Sequence, residues 1–197
     1  MIYDVIIVGA GASGLFLGAN LKGKKVAILE KNSSAGKKIL ASGGGRCNIT
    51  NRFVSAKNYL GEQKFIEQIL KILSPEQVLK FFSELKFSEQ KQNQFFCDSG
   101  AKSVLSLLLK RQNADIFYSK EVIGAKKVDK IFEILTKDEK FRARNLVIAS
   151  GGLSYKALGA SDIGYKVACE FDIELSPLAP ALVGFSVQKD EFWFKEL

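Results

Sequence analysis

The first thirty residues leave this chain few folds to choose from. Residues 2–8, IYDVIIV, form a short β-branched apolar run that suits a strand buried on both faces of a parallel sheet. GAGASG follows at once. Ala12, Leu15, Phe16 and Ala19 then recur at helical spacing, with Gly23 placed to end that helix. KVAILE, residues 25–30, reads as a second strand. Strand, glycine turn, helix and strand in this order make a βαβ unit, and with it an α/β fold of Rossmann-like type.

Each glycine of the turn has its own task. Gly9 permits the tight bend, Gly11 lets a diphosphate approach the backbone, and Gly14 lets the helix pack on the strand. The N–H groups at the helix start, around Ala12 and Ser13, then face negative charge. Glu30 stands twenty-one residues after Gly9, at the end of the second strand and just before Lys31. A carboxylate there accepts from ribose hydroxyls and repels a 2′-phosphate, which disfavours NADP at this site. NAD and FAD share the ADP half, so the fingerprint alone does not separate them.

NLVIASGG, residues 145–152, brings another buried strand to Ser150, Gly151 and Gly152 at the carboxyl end of the sheet. Between the two glycine turns the pattern predicts a helical insertion over about 55–112. In SPEQVLKFFSEL, Ser74 is the N-cap, Pro75 takes the first helical position and Gln77 is the capping-box partner. A further helix is expected from Ala101 to Lys110. Residues 115–144 alternate between short polar turns (DIFYS, EVIGAKKV, IFEILTK, KFRAR) and read as a small antiparallel meander. Insertions of this size suit an FAD-binding domain better than a compact NAD-binding one, by analogy of fold. A last helix is expected around Tyr165 to Phe171. The prolines of SPLAPALVGF then mark a boundary, with one domain over 1–177 and the start of another over 178–197.

Composition narrows the chemistry. The chain has no histidine, which excludes Ser-His-Asp and Cys-His catalysis and the common histidine metal sites within it. Its three cysteines stand far apart, without zinc or dithiol spacing, so no metal site is expected. The net charge of +8 is scattered through short lysine clusters and reads as solvated surface rather than a nucleic-acid face. Neither a leader peptide nor a membrane-length apolar run is evident, which points to the cytoplasm.

ILASGGGRCNITN, residues 39–51, has two readings. Gly43, Gly44 and Gly45 can present N–H groups to a ligand, Arg46 can offset phosphate charge or meet a flavin's polar edge, and Asn48 can donate and accept there. Equally, the loop can be a structural tie-down, with Cys47 buried as a small apolar residue and Arg46 on a carboxylate. The residues alone do not choose.

GKKILASGGGRCNITN, together with GAGASGL, ASGGLSY and PALVGF, resembles the BaiN/YhiN-like flavoproteins, also called aminoacetone-oxidase-type FAD-binding enzymes. Those proteins carry two dinucleotide-binding signatures, and this chain corresponds to about their first half. The resemblance implies an FAD-dependent, NAD(P)H-linked oxidoreductase. It implies that Gly9 to Gly14, Glu30 and Lys31 hold the ADP part and that the loop from Lys38 to Asn48 lines the cofactor. It further implies that Val122 meets the adenine through its backbone and that Ser150, Gly151 and Gly152 pass close to the dinucleotide. The chain departs from the pattern by reading Ala149-Ser150 where relatives read Ala-Thr, by Lys156 in place of proline, and by Asp162-Ile163 in place of glycine–aspartate. Relatives continue into a β-rich substrate domain, so a truncated or split protein with exposed apolar surface from Leu178 to Phe194 is expected. The alternatives are a noncatalytic dinucleotide-binding module that pairs with a second chain, and a flavoprotein of RNA modification. No catalytic base is assigned. Tyr155 and Cys47 are conceivable proton donors, although a buried structural role suits each better.

Overall fold

The computed structural model describes residues 1–179. β1 (Tyr3–Val8) and β2 (Val26–Leu29) pair in parallel, Val5 opposite Val26 and Val8 opposite Leu29, with α1 (Ala12–Asn20) between them in sequence. α1 closes earlier than its glycine suggested. The Leu21 N–H still reaches the Leu17 carbonyl at 3.1 Å, and Gly23 serves the turn into β2 at φ +66°.

The segment expected to be a helical insertion is only partly helical. α2 (Lys37–Ala41) leads through a tight turn at Ser42–Gly45 into β3 (Asn48–Asn51). α3 (Gln63–Ile72) and α4 (Pro75–Phe81) follow, then β4 (Phe87–Gln90), β5 (Gln94–Cys97) and α5 (Ala101–Lys110). β3, β5 and β4 form a separate antiparallel sheet in that order. Its strands are four residues long and carry polar side chains (NITN, FSEQ, QFFC), too short to show alternation. α4 keeps the capping box read from its sequence, the Gln77 N–H donating to Ser74 Oγ and the Ser74 N–H to Gln77 Oε1.

The meander is also arranged differently. β6 (Ala114–Phe117), from DIFYS, pairs in parallel with β2 at the sheet edge and takes no part in the meander. β7 (Val122–Val128) and β8 (Ile131–Thr136) form a hairpin. KFRAR and NLVI are one strand, β9 (Lys140–Ile148). Its first residues run antiparallel to β8. From Ala143 onward it runs parallel to β1, with Ala143 opposite Tyr3 and Ile148 opposite Val8. The main sheet therefore has the order β6-β2-β1-β9-β8-β7. Alternation alone cannot reveal whether a strand's neighbour runs parallel or antiparallel.

Both faces of β1 are buried, as its unbroken apolar run requires. Val5 and Ile7 join Val26, Ile28, Leu15 and α5 in one core. Tyr3, Ile6 and Val8 join Leu29, Ile134, Phe141 and α6 (Ile163–Glu170) in the other. Leu178 is exposed; the rest of the expected apolar surface to Phe194, and nearly all of the expected second domain, lie outside the described residues.

Candidate functional site

The β1–β9 register delivers two turns to one place. Gly9 and Ala149 leave adjacent strands side by side, the Gly9 N–H donating to Leu29 at 2.8 Å and the Ala149 N–H to Val8 at 2.9 Å. Gly9 has φ +107°, and a Cβ on it would stand 2.6 Å from the Ala149 carbonyl oxygen. A Cβ on Gly14 would fall 2.0 Å from the Gly9 carbonyl oxygen, so the helix can approach the turn only without a side chain there. At Gly11 an added Cβ would meet nothing within 4 Å. Its open side faces a cleft of about 240 Å³ walled by Gly9 to Ser13, by residues 29–32 at the end of β2, by 120–122 and by 149–151.

Glu30 lies in that wall and is only 7% exposed. Its Oε2 accepts the Ala10 N–H at 2.8 Å; its Oε1 accepts the Asn32 N–H at 2.8 Å and Asn32 Nδ2 at 2.7 Å. Three neutral donors thus hold the carboxylate against the glycine turn. Asn32, unmarked by any motif, orients it, and Asn32 Oδ1 in turn accepts from Lys37 at 3.0 Å. Lys31 donates to the Ala160 carbonyl at 3.0 Å. Lys120 is paired with Glu139 at 2.7 Å, which raises its pKa. Val122 is buried in the cleft wall at the start of β7. Ser150 and Gly151 line the cleft, while Gly152 stands beyond it near the Tyr165 hydroxyl.

Ala12, Ser13 and Lys38 also line a second cavity of about 550 Å³. Phe16, Ile39, Val78, Phe82, Val104 and Leu108 make it largely apolar, and Ser42, Cys47 and Asn48 give it one polar side. Cys47 is 5% exposed and adopts φ +58°. Burial pushes its thiol up in pKa, against a hydrogen bond with Ser42.

The glycine-rich loop is divided by this geometry. Ser42, Cys47 and Asn48 face the second cavity; Gly43, Gly44, Gly45 and Arg46 line neither space. Gly43, Gly44 and Gly45 all have positive φ (56°, 64° and 84°), and a Cβ on Gly43 would strike the Phe96 ring at 2.6 Å. Arg46 Nη1 donates to Gln90 Oε1 at 2.7 Å, and its guanidinium lies 4.6 Å from the centroid of Phe96. Its partner is an amide oxygen on the small sheet, neither a phosphate nor a carboxylate. Tyr155, expected to be buried, is 74% exposed, in the turn after β9 where its backbone takes a left-handed conformation at φ +62°.

A family profile described as the HI0933-like protein Rossmann domain matches residues 3–189. Among curated relatives, the Escherichia coli (strain K12) ribosomal RNA dihydrouridine synthase is 33% identical over 195 residues, covering 95% of this chain and 49% of that protein. The 3-dehydro-bile acid delta(4,6)-reductase of Clostridium scindens is 38% identical over 196 residues, covering 94% of this chain and 48% of that protein. The chain thus spans about half the length of these relatives. Among solved structures, Thermovibrio ammonificans THI4 superposes with a TM-score of 0.54 at 20% identity, over 87% of this chain and 64% of that one, a likeness of fold.

Proposed function

The chain belongs to the HI0933-like Rossmann-domain family, and from that premise we propose that it binds FAD and forms the cofactor-binding part of a flavin-dependent reductase. The observation that carries this reading is the open side of Gly11, in a turn whose other two motif glycines, Gly9 and Gly14, are closed by the protein's own atoms. A diphosphate fits where a side chain is missing and backbone N–H groups converge.

In this reading the turn from Gly9 to Gly14 holds the diphosphate, and Glu30, kept in place by Ala10 and Asn32, accepts from a ribose hydroxyl. The backbone near Val122 meets the adenine. The second cavity receives the remaining half of the cofactor, and its apolar floor excludes water. Bound and reduced, FAD would supply hydride, with NAD(P)H as the source of electrons.

The names of the relatives narrow the substrate class. Dihydrouridine is uridine with its ring C=C saturated, and a 3-dehydro-delta(4,6)-reductase saturates a C=C conjugated with a ketone. Both add a hydride and a proton across a C=C conjugated with a carbonyl. We assign this chain's reaction to that class, with the proton coming from a donor other than imidazole, since the chain has no histidine. Among the described residues no helix is long and apolar enough to cross a membrane, and we place the protein in the cytoplasm.

The test is a visible spectrum of the purified protein with added FAD, followed by NADH or NADPH without oxygen. A flavin band that bleaches, and recovers on adding a conjugated enone or uridine-containing RNA, supports the reductase. Bound flavin that never bleaches indicates a binding module. Failure to bind FAD at all rejects the proposal.

A further inference from the structure

We propose that Cys47 and Cys97 form a redox-active dithiol, a site where a small hydroperoxide is reduced and a reversible disulfide closes across the small sheet. The two cysteines are distant in sequence, yet the fold makes them neighbours. β3 and β5 run antiparallel with Asn48 opposite Phe96, and one more step of that register sets Cys47 opposite Cys97. The backbone holds them there, the Cys97 N–H being shared between the Arg46 and Cys47 carbonyls at 3.2 and 3.4 Å. Residues facing each other in an antiparallel pair have Cα atoms about 4.5–5.5 Å apart. A disulfide bridges a span of about 4.4–6.8 Å. Both thiols are free and buried, in one core with Phe82 and Ala101.

The two sulfurs have different places. Cys47 lines the second cavity at the exit of the glycine-rich turn, and Cys97 does not. A peroxide entering that cavity meets Cys47 first, with Cys97 behind it as the resolving thiol. Each has a hydroxyl beside it, Ser42 at Cys47 and Ser99 Oγ at 3.4 Å from Cys97 Sγ. Cys47 also carries a side chain at φ +58°, a region that glycine occupies with less strain. Burial pushes its thiol up in pKa, the Ser42 hydrogen bond opposes the rise, and Cys97 adds to it, an effect felt only between close groups. Little thiolate forms, so the first step is slow, but its product has a partner at hand.

In that step the Cys47 thiolate attacks an oxygen of the hydroperoxide. An S–O bond forms, the O–O bond breaks, and the alcohol (or water) leaves with the proton that Cys47 gave up. The Cys97 sulfur then attacks the sulfenic sulfur. The S–S bond forms, the S–O bond breaks, and hydroxide leaves as water with the second thiol proton. Two electrons pass from two thiols to one peroxide, and an external dithiol reverses the link by thiol–disulfide exchange. Cys169, exposed on α6 in the other core, serves as an internal control.

The experiment treats the folded 197-residue chain, as wild type and Cys169→Ser, with hydrogen peroxide and no flavin. Acid quenching, alkylation in denaturant and peptide mass spectrometry then report each sulfur. Cys47 and Cys97 should be lost together as one linked peptide, with one peroxide consumed per link, and dithiothreitol should restore both. In Cys97→Ser, Cys47 should persist as a sulfenic acid that dimedone traps; should that variant not fold, Cys97→Ala carries the same comparison. Cys47 and Cys97 still present as thiols after Cys169 has been consumed overturn the proposal. So does a link from Cys47 to Cys169 or to a second chain, or a Cys47 sulfenic acid that persists while Cys97 is present. The readout needs no FAD, so this result and the dinucleotide reading stand or fall separately.

Discussion

Gly11 and Gly14 belong to one motif and answer to different forces. At Gly14 a methyl group collides with backbone, so Gly14→Ala should destabilise the fold by about 1–3 kcal/mol, read as a fall in melting temperature. At Gly11 the same group enters open space, so Gly11→Ala should leave stability within about 0.5 kcal/mol while weakening FAD binding. A second residue-scale prediction concerns Glu133, whose side chain is 8% exposed among Lys140, Arg142 and Lys126. The hydrogen bonds from Lys140 and then Arg142 hold its carboxyl below the usual carboxylate value. Folding therefore gains from this group above about pH 4.3 and loses that gain as pH falls through the lowered value. Melting temperature should drop more steeply with acid in the wild type than in Glu133→Gln, with the two converging at the acid end. Sequence spacing did single out the close backbone approaches at Gly9 and Gly14 and the place of Glu30 beside their turn, because each follows from backbone geometry at a fixed offset. Asn32 and the direction of Arg46 were not legible, since a hydrogen-bond partner such as Gln90 is set by tertiary pairing.

At the scale of elements, α3 differs from the rest. None of its residues is buried, and Phe65, Ile69 and Ile72 are exposed along it. The Glu62 carboxylate caps its start by accepting the Lys64 and Phe65 N–H groups at 3.1 and 2.5 Å. Its amides should exchange with deuterium well before those of β1 and β2, which sit between two cores. Equal protection would show that α3 is held by more than its cap. α4, α5 and α6 were readable because caps and 3.6-residue periodicity are local. The β3-β5-β4 sheet was not, because four-residue strands take their identity from their neighbours.

For the molecule as a whole, the two cores lie on opposite faces of one sheet and share no residue. Ile28 and Ile134 are fully buried in different cores, on strands three steps apart, about 14 Å at the usual strand spacing. Changing either to alanine should cost about 2–5 kcal/mol, and the double variant should equal the sum within about 0.5 kcal/mol in denaturant titrations. A large departure from that sum would show that the faces communicate through the sheet. β9 joins these scales, entering the sheet as a hairpin partner and leaving it as a parallel neighbour. For protein engineering this makes a simple map of tolerance. A reporter spliced at Asp129–Lys130, the tip of the hairpin, would leave both ladders in step. One extra residue between Ala143 and Ile148 would invert the strand's faces, carry Ala149 away from Gly9, and spoil the cleft without altering any residue that lines it.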